Sequence, residues 1–299
     1  MARILGTADI GSNTVHLLVG ETDGRSVRRI LNESEWLSLG EVVSRCGAIP
    51  GDLEQKLVAT LGHFAEQSRR VRAERLYVFA TEAMRVAQNH AEVIARIRRE
   101  TQIDVRIISP VQEARFSLIG TSLDTPREFP LLMVEVGGGS AQIARASDLE
   151  IHEEISLPLG TGRLTAQAEI SYPMTGEMVA RLSELVETEL DRCWEMQQGK
   201  CIVGSGGIAR GLIRGLHPDG DPVLFADELD YVLATCRRLT HQELAARFRV
   251  KHRRAGTFGP GALVYRRIMD RFQMDRIHVS EFGVREGALL SMAWGILKE

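Results

Sequence analysis

Two short segments of the chain carry the residue types that grip phosphate. The first is Asp9-Ile10-Gly11-Ser12-Asn13-Thr14, followed by Val15-His16-Leu17-Leu18-Val19. The second is Glu135-Val136-Gly137-Gly138-Gly139-Ser140, followed by Ala141-Gln142-Ile143-Ala144. In each, an apolar run leads to a carboxylate, one apolar residue, a tight turn of Gly, Ser or Asn, and a second apolar run. A strand ending in such a turn presents successive backbone N–H groups in one concavity, and these fixed dipoles bind anions. Glycine lets the backbone approach a phosphate closely or take positive φ. Ser12, Thr14 and Ser140 add hydroxyl donors. Either turn alone is equally an ordinary hairpin turn, because Gly and Asn dominate hairpins. The repetition, with a third strand-then-glycine segment at Gly204-Ser205-Gly206-Gly207, favours ligand binding. Neither turn is a P-loop, since no Gly-Lys-Ser/Thr follows. Neither is a dinucleotide fingerprint, since the residues after Gly11 and Gly139 read as strand, not helix.

The bulk properties narrow the partners. With 299 residues the chain is long enough for two domains with their own cores. A net charge of −3 provides no basic field, and the aromatic 5% is not interleaved with the basic residues, so no nucleic acid is expected. A phosphate ligand then depends on local cations. The four cysteines are scattered and form no CxxC pair, which disfavours a disulfide framework or zinc site and suits a reducing cytoplasm. No apolar stretch approaches the roughly 18 residues that span a bilayer, and Asp9 sits where a signal peptide is apolar, so no membrane is expected. The eight histidines show no HExxH spacing and no nucleophile elbow, which disfavours zinc and serine hydrolase chemistry.

The elements that must position these turns alternate between strand and helix, which argues an α/β fold. The opening residues read as strand, turn, strand. Leu53, Leu57, Leu61, Phe64 and Val71 recur at helical spacing over 52–71, with Asp52 as the N-cap. Leu76 to Ala80 is a short buried strand. Asn89 to Glu100 is a helix with Asn89 and Glu92 at capping-box spacing. Ile103 to Ile108 alternates as a strand, and Ser109-Pro110 opens a helix with Pro at its first position. Leu131 to Val136 is a strand. Beyond it lie a long amphipathic helix over 176–196, a strand Cys201-Ile202-Val203 ending in the third glycine segment, and a helix start at Thr240 and Glu243. The loop-like Asp124-Thr125-Pro126-Arg127-Glu128 sets the domain boundary, giving domains 1–124 and 125–284. The last helix, 285–299, is expected to pack back on the first domain.

Strand, phosphate turn and strand, repeated across two domains, is similar to the actin-like, sugar-kinase and heat-shock ATPase superfamily. Within it the chain resembles the exopolyphosphatase and guanosine pentaphosphate phosphohydrolase (Ppx/GppA) family. The carrying segments are Asp9 to Thr14, Ala80-Thr81-Glu82-Ala83-Met84-Arg85, Gln112-Glu113-Ala114-Arg115, Val136 to Ser140, Leu157-Pro158-Leu159-Gly160, Val203 to Gly207 and Phe282-Gly283-Val284-Arg285-Glu286-Gly287, in family order. The resemblance implies two actin-like (ASKHA, ribonuclease H-like) α/β domains with a cleft between them. Gly11 to Thr14 would face Gly137 to Ser140 across it, with residues near 120–128 as one hinge. It further implies a homodimer, and the short family form, since the chain stops near residue 299 without the extra C-terminal domain of long members.

The same resemblance gives roles to the acids and bases. Alone, Glu113 in the first turn of a helix is a capping or solvated residue. Its place in Gln112-Glu113-Ala114-Arg115 matches the glutamate that the family uses to activate water, so it is the expected general base. Arg85 matches a family arginine that faces the substrate phosphates, where a planar guanidinium binds in bidentate fashion. Glu135 stands where the family usually has aspartate, and with Asp9, its counterpart, is the expected ligand of Mg²⁺ or Mn²⁺. Gln142 departs from the family pattern, which has glutamate there, and it aligns internally with His16. An amide takes no proton at neutral pH and is a weaker metal ligand, so reduced metal-dependent hydrolysis is the expectation. The run Lys251, His252, Arg253 and Arg254 is either a track for a polyanion or a solvated face. The expected reaction is hydrolysis of the terminal phosphate of inorganic polyphosphate, or of the 5′-phosphate of guanosine pentaphosphate. Polyphosphate comes first because nothing in the chain reads a guanine base. The alternatives are a sensor of alarmone or polyphosphate that has lost turnover, and an ATP-dependent kinase seating adenosine at Gly204 to Gly207.

Overall fold

The computed structural model describes residues 2–126 and 128–297. The chain forms two compact units, divided between Leu123 and Asp124 and again between Glu281 and Phe282. The first unit holds β1 (Arg3–Ile10), β2 (Thr14–Thr22), β3 (Val27–Trp36), α1 (Leu39–Cys46), α2 (Gly51–Arg70), β4 (Arg75–Ala80), α3 (Glu82–Val86), α4 (His90–Thr101), β5 (Val105–Ile107) and α5 (Pro110–Thr121). The second holds β6 (Leu131–Val136), β7 (Ala141–Ser147), β8 (Glu150–Leu157), α6 (Thr161–Gln167), α7 (Gly176–Leu190), β9 (Cys201–Ser205), α8 (Gly206–Leu216), β10 (Val223–Phe225), α9 (Ala226–Cys236), α10 (His241–Arg247), α11 (His252–Ala255), α12 (Phe258–Arg271) and β11 (Arg276–Val279). The chain then returns to the first unit as α13 (Val284–Ala293).

Among the described residues, the strand order is β3-β2-β1-β4-β5 in one sheet and β8-β7-β6-β9-β11-β10 in the other. In both, a three-stranded antiparallel meander is extended by a parallel strand beside its first member. The order β8-β7-β6-β9 therefore repeats β3-β2-β1-β4, and each unit has the actin-like α/β arrangement. Each repeat also places a helix start, α1 or α6, directly after the meander.

Helix α2 buries Leu53, Leu57, Leu61 and Phe64 against the first sheet. Fully burying each such side chain contributes about 1.5–3 kcal/mol, so the apolar stripe outweighs any single cap. The helix begins one residue earlier than the spacing suggests, behind Pro50, and Asp52 lies in its first turn instead of at the N-cap. Asn89 does not cap α4 either. Its amide is drawn off to the backbone of Ile49, accepting from the N–H and donating to the carbonyl, each at 2.9 Å. The strand expected over 103–108 shortens to β5, and the helix expected over 176–196 ends at Leu190, followed by a 3₁₀ turn, Asp191–Cys193. Thr240 and Glu243 do form a capping box at α10.

Helix α13 packs on α5 and β1, where Leu289 and Met292 join Leu5 and Leu18 in one buried cluster. Any Cβ at Gly287 would overlap the carbonyl of Phe116 in α5, so the two helices cross backbone to backbone. Glu286, 2% exposed, pairs with Arg29 of β3 at 2.8 Å and accepts from the N–H of Gly283 at 3.1 Å. In the second unit Asp124 accepts from the Ser280 hydroxyl at 2.5 Å and the Glu281 N–H at 2.8 Å, joining the segments where the chain enters and leaves that unit. No helix among the described residues is long and apolar enough to cross a membrane.

Candidate functional site

The two glycine turns share one construction. In the first, the N–H of Gly11 donates to the carbonyl of Thr14 at 3.1 Å, closing the β1–β2 hairpin. The carbonyl of Ser12 accepts from Gly40 N–H at 2.7 Å, and that of Asn13 accepts from Leu37 and Ser38 N–H at 3.0 Å. In the second, Gly137 N–H donates to the Ser140 carbonyl at 2.8 Å. The carbonyl of Gly137 accepts from Thr161 N–H at 2.9 Å, that of Gly138 from Gly162 N–H at 2.9 Å and Arg163 N–H at 3.2 Å, and that of Gly139 from Arg163 Nε at 3.1 Å. A trans peptide points its N–H away from its carbonyl. The N–H groups of Asn13 and Thr14, and of Gly138, Gly139 and Ser140, therefore point away from the following helix start, as a row of donors on the other edge. Gly40 and Gly160 make this approach feasible. A Cβ at Gly40 would lie 2.6 Å from Ser12 Cβ, and one at Gly160 would overlap the backbone of Gly138 and Gly139.

In the first unit the hydroxyls of the turn have partners within the protein. Ser12 Oγ donates to Glu82 Oε2 at 2.9 Å, and Thr14 Oγ1 lies 2.7 Å from His16 Nε2. Ser12, one of the expected phosphate-binding residues, thus meets a carboxylate 70 residues along the chain. Glu82 opens α3, and Arg85 near its end reaches α5. Arg85 Nη1 donates to Glu113 Oε2 at 2.9 Å and to the carbonyl of Ile108 at 2.8 Å. The two side chains are 17% and 14% exposed. The first turn of α5 is fixed by a reciprocal cap: Ser109 Oγ accepts from Gln112 N–H at 3.2 Å and Gln112 Oε1 accepts from Ser109 N–H at 3.0 Å. Glu113 is thus held from two sides, by its capped helix start and by a charged, directional hydrogen bond.

In the second unit Ser205, Glu135, Gln142 and Ser156 stand side by side across β9, β6, β7 and β8. Residues paired in register share a face of the sheet. Ser205 Oγ donates to Glu135 Oε2 at 2.7 Å, and Gln142 is buried. The matching row in the first unit is Phe79, Asp9, His16 and Ser34. Asp9 therefore corresponds to Glu135 and His16 to Gln142 by register as well as by sequence.

The third glycine segment differs from a turn. Gly204 and Ser205 are the last residues of β9, and α8 begins at Gly206. Gly204 sits in the sheet, its carbonyl accepting from Ser280 N–H at 2.9 Å, and the Ser205 hydroxyl donates to Glu135. Gly206 has φ +85, a conformation that L side chains rarely adopt, and a Cβ there would press on Glu135 at 3.1 Å. Arg254 Nη1 donates to the carbonyl of Gly207 at 3.0 Å. Burial, with Arg214 nearby, holds this guanidinium below the usual arginine range. The basic run thus divides: Arg254 folds onto α8, while Lys251, His252 and Arg253 are exposed.

The family model described as the Ppx/GppA phosphatase family matches residues 18–294. The chain belongs to the Ppx/GppA phosphatase family. It is 29% identical over 303 residues to exopolyphosphatase 1 of Mycobacterium leprae, covering 96% of this chain and 88% of that protein. It is 30% identical over 302 residues to exopolyphosphatase 1 of Mycobacterium tuberculosis, covering 96% and 87%. Among solved structures it is similar to the Aquifex aeolicus member of the Ppx/GppA family, with a TM-score of 0.86, 28% identity and complete coverage of both chains. Both mycobacterial relatives are named exopolyphosphatases, and this Ppx/GppA chain is by family a hydrolase.

Two residues that shape the first turn of this Ppx/GppA chain carry no signal that the sequence alone makes legible. Gly40 stands outside every motif, although its counterpart Gly160 lies within one. Glu82 falls inside a motif with no role of its own, yet it holds the first turn through Ser12. Among the described residues no three His, Cys, Asp or Glu side chains stand together as a metal-binding group. Mg²⁺ commonly keeps waters and takes one or two carboxylates plus substrate phosphates. Glu135, with the amide of Gln142 beside it in register, fits an ion that arrives with a phosphate chain and not one held by the protein alone.

Proposed function

We propose that the protein hydrolyses the terminal phosphate of inorganic polyphosphate. The observation that supports this most is the pair of turns whose carbonyls are taken up by a helix start, leaving rows of N–H groups on the other edge. These donors bind phosphate oxygens without any net positive charge, which suits a chain whose overall charge is −3. Glu113 acts as the general base: it takes a proton from water as the water oxygen attacks the terminal phosphorus. The bridging P–O bond breaks, and the shortened chain leaves with the electron pair. Arg85 keeps the Glu113 carboxylate in place for this transfer. Glu135 or Asp9 would hold Mg²⁺ or Mn²⁺, which would supply charge neutralisation to the phosphate chain. In such reactions positioning and neutralisation do most of the work, so one well-held base suffices.

A second reading is a polyphosphate or alarmone sensor with little turnover, and the buried amide of Gln142 in the row beside Glu135 is what favours it. A phosphate-release assay separates the two. Long polyphosphate, tripolyphosphate, guanosine pentaphosphate and ATP are compared with Mg²⁺ or Mn²⁺. Release from long polyphosphate above that from the nucleotides is expected. Binding of polyphosphate by calorimetry without any release would establish the sensor and overturn the hydrolase.

A further inference from the structure

Resting on that reading of the site, we infer that Tyr265 is a positioning residue for the second phosphate turn, acting through its hydroxyl just beyond the last rung between β6 and β9. The two strands run in parallel register from Leu131 opposite Cys201 to Glu135 opposite Ser205. Beyond that rung they part: β6 enters the Gly137 turn and β9 enters α8. The next backbone groups between them are the Val136 N–H and the Ser205 carbonyl. Tyr265, fully buried on α12, reaches both. Its oxygen accepts from Val136 N–H at 3.4 Å and its hydroxyl donates to the Ser205 carbonyl at 3.3 Å.

The contacts lie at a sensitive place. Val136 is the single residue between Glu135 and the glycine turn. Ser205 fixes Glu135 through its own hydroxyl at 2.7 Å and is followed directly by Gly206, whose positive φ admits the Glu135 side chain. One phenol therefore sets the spacing of both segments that shape the second half-site. A tyrosine reached from a core helix is suited to this, because its ring is locked by packing and only its oxygen is polar. Burial raises the Tyr265 phenol well above its ordinary range, so the hydroxyl keeps its proton and its donor role throughout the working pH range.

Tyr265→Phe removes the oxygen and keeps the ring. Hydrogen exchange is measured on wild type and variant, together with steady-state hydrolysis of long polyphosphate. Exchange is expected to quicken in the segment 136–140 and not in 131–134. The variant's kcat/KM is expected to fall about tenfold, the size of one lost backbone-directed hydrogen bond. Val232→Ala, in the core at α9, serves as a control for general destabilisation and should keep the wild-type kcat/KM. Unchanged exchange over 136–140 overturns the bridging role. Altered exchange with wild-type kcat/KM overturns the positioning role. If wild type releases no phosphate at all, the hydrolase reading fails, and the exchange data alone still decide whether Tyr265 holds the rung.

Discussion

The two units build the same hairpin, the same outward row of amides and the same glycine-dependent helix start, but they furnish it differently. Around the first turn ionisable side chains predominate: Glu82 accepts from Ser12, Arg85 pairs with Glu113, and His16 stands opposite Asp9 in register. Around the second, the acid stands in a row with neutral groups: Glu135 is bonded by Ser205 and has Gln142 beside it, with Tyr265 at the next rung. The backbone geometry is common to both units, whereas the side chains bonded around it differ. A main-chain cradle binds anions whatever surrounds it, whereas proton transfer needs a positioned carboxylate, and in the first unit Glu113 is paired with Arg85.

The sharpest way to break the comparison is to push the two helix starts off their turns. Gly160→Ala sets a methyl into the backbone of Gly138 and Gly139, which no rotamer change relieves. It should lower stability by about 2–3 kcal/mol and abolish most polyphosphate turnover. Gly40→Ala meets a side-chain carbon of Ser12 at 2.6 Å and should cost less. Thermal unfolding and turnover of the two variants check this; a variant that lost neither stability nor turnover would show that its helix start does not depend on the glycine. The next largest effect is expected from Arg85→Gln, which leaves the mostly buried Glu113 without its cation. A fall in kcat of roughly 10–100-fold is expected, measured with long polyphosphate, and Arg85→Lys should recover part of it. An unaltered kcat would detach Arg85 from the base.

Gln142→Glu makes the second unit more like the family pattern by placing a carboxylate beside Glu135. Turnover is expected to rise several-fold, about 1 kcal/mol in barrier, with a steeper dependence on Mg²⁺ concentration. Equal rates would show that this position does not limit hydrolysis. The smallest effect separates the units by pH. Burial pushes the Cys236 thiol of α9 up to about 12 from an ordinary 9.0, and raises Tyr172 and Tyr265 as well. These acids lose their protons more easily unfolded than folded. The stability they confer is therefore full below the unfolded value and declines as pH rises through it. For Cys236 alone the decline approaches about 1.4 kcal/mol per pH unit above pH 9. Melting curves between pH 8 and 10 should show a shallower fall for Cys236→Ala than for wild type, and parallel curves would count against the buried thiol.

What the chain reveals before folding is local. Both hairpins, the Ser109-Pro110 helix start and the Thr240 capping box follow from residues within a few positions of each other. The site's internal bonds do not. Arg85 and Glu113 are 28 residues apart, and Ser12 and Glu82, like Ser205 and Glu135, are 70 apart. The parallel placement of β5 beside β4 brings Arg85 to Glu113, that of β4 beside β1 brings Glu82 to Ser12, and that of β9 beside β6 brings Ser205 to Glu135. Asn89 shows the converse: its spacing to Glu92 suits a cap, but a nearby backbone segment at Ile49 competes for the amide and wins. Gly204 reads as turn because glycine after a strand signals either a turn or a close neighbour, and here the neighbour is Ile277.

Glu113→Gln in an otherwise intact protein tests the central claim most directly. Orthophosphate release from long polyphosphate is timed in the presence of Mg²⁺, and tripolyphosphate binding is measured by calorimetry on the same preparation. Binding within about threefold of wild type with a rate lowered by about 10²–10⁴ is the expected outcome for loss of a general base. Release at the wild-type rate from the Glu113→Gln variant, binding intact, would contradict it and place the proton transfer elsewhere.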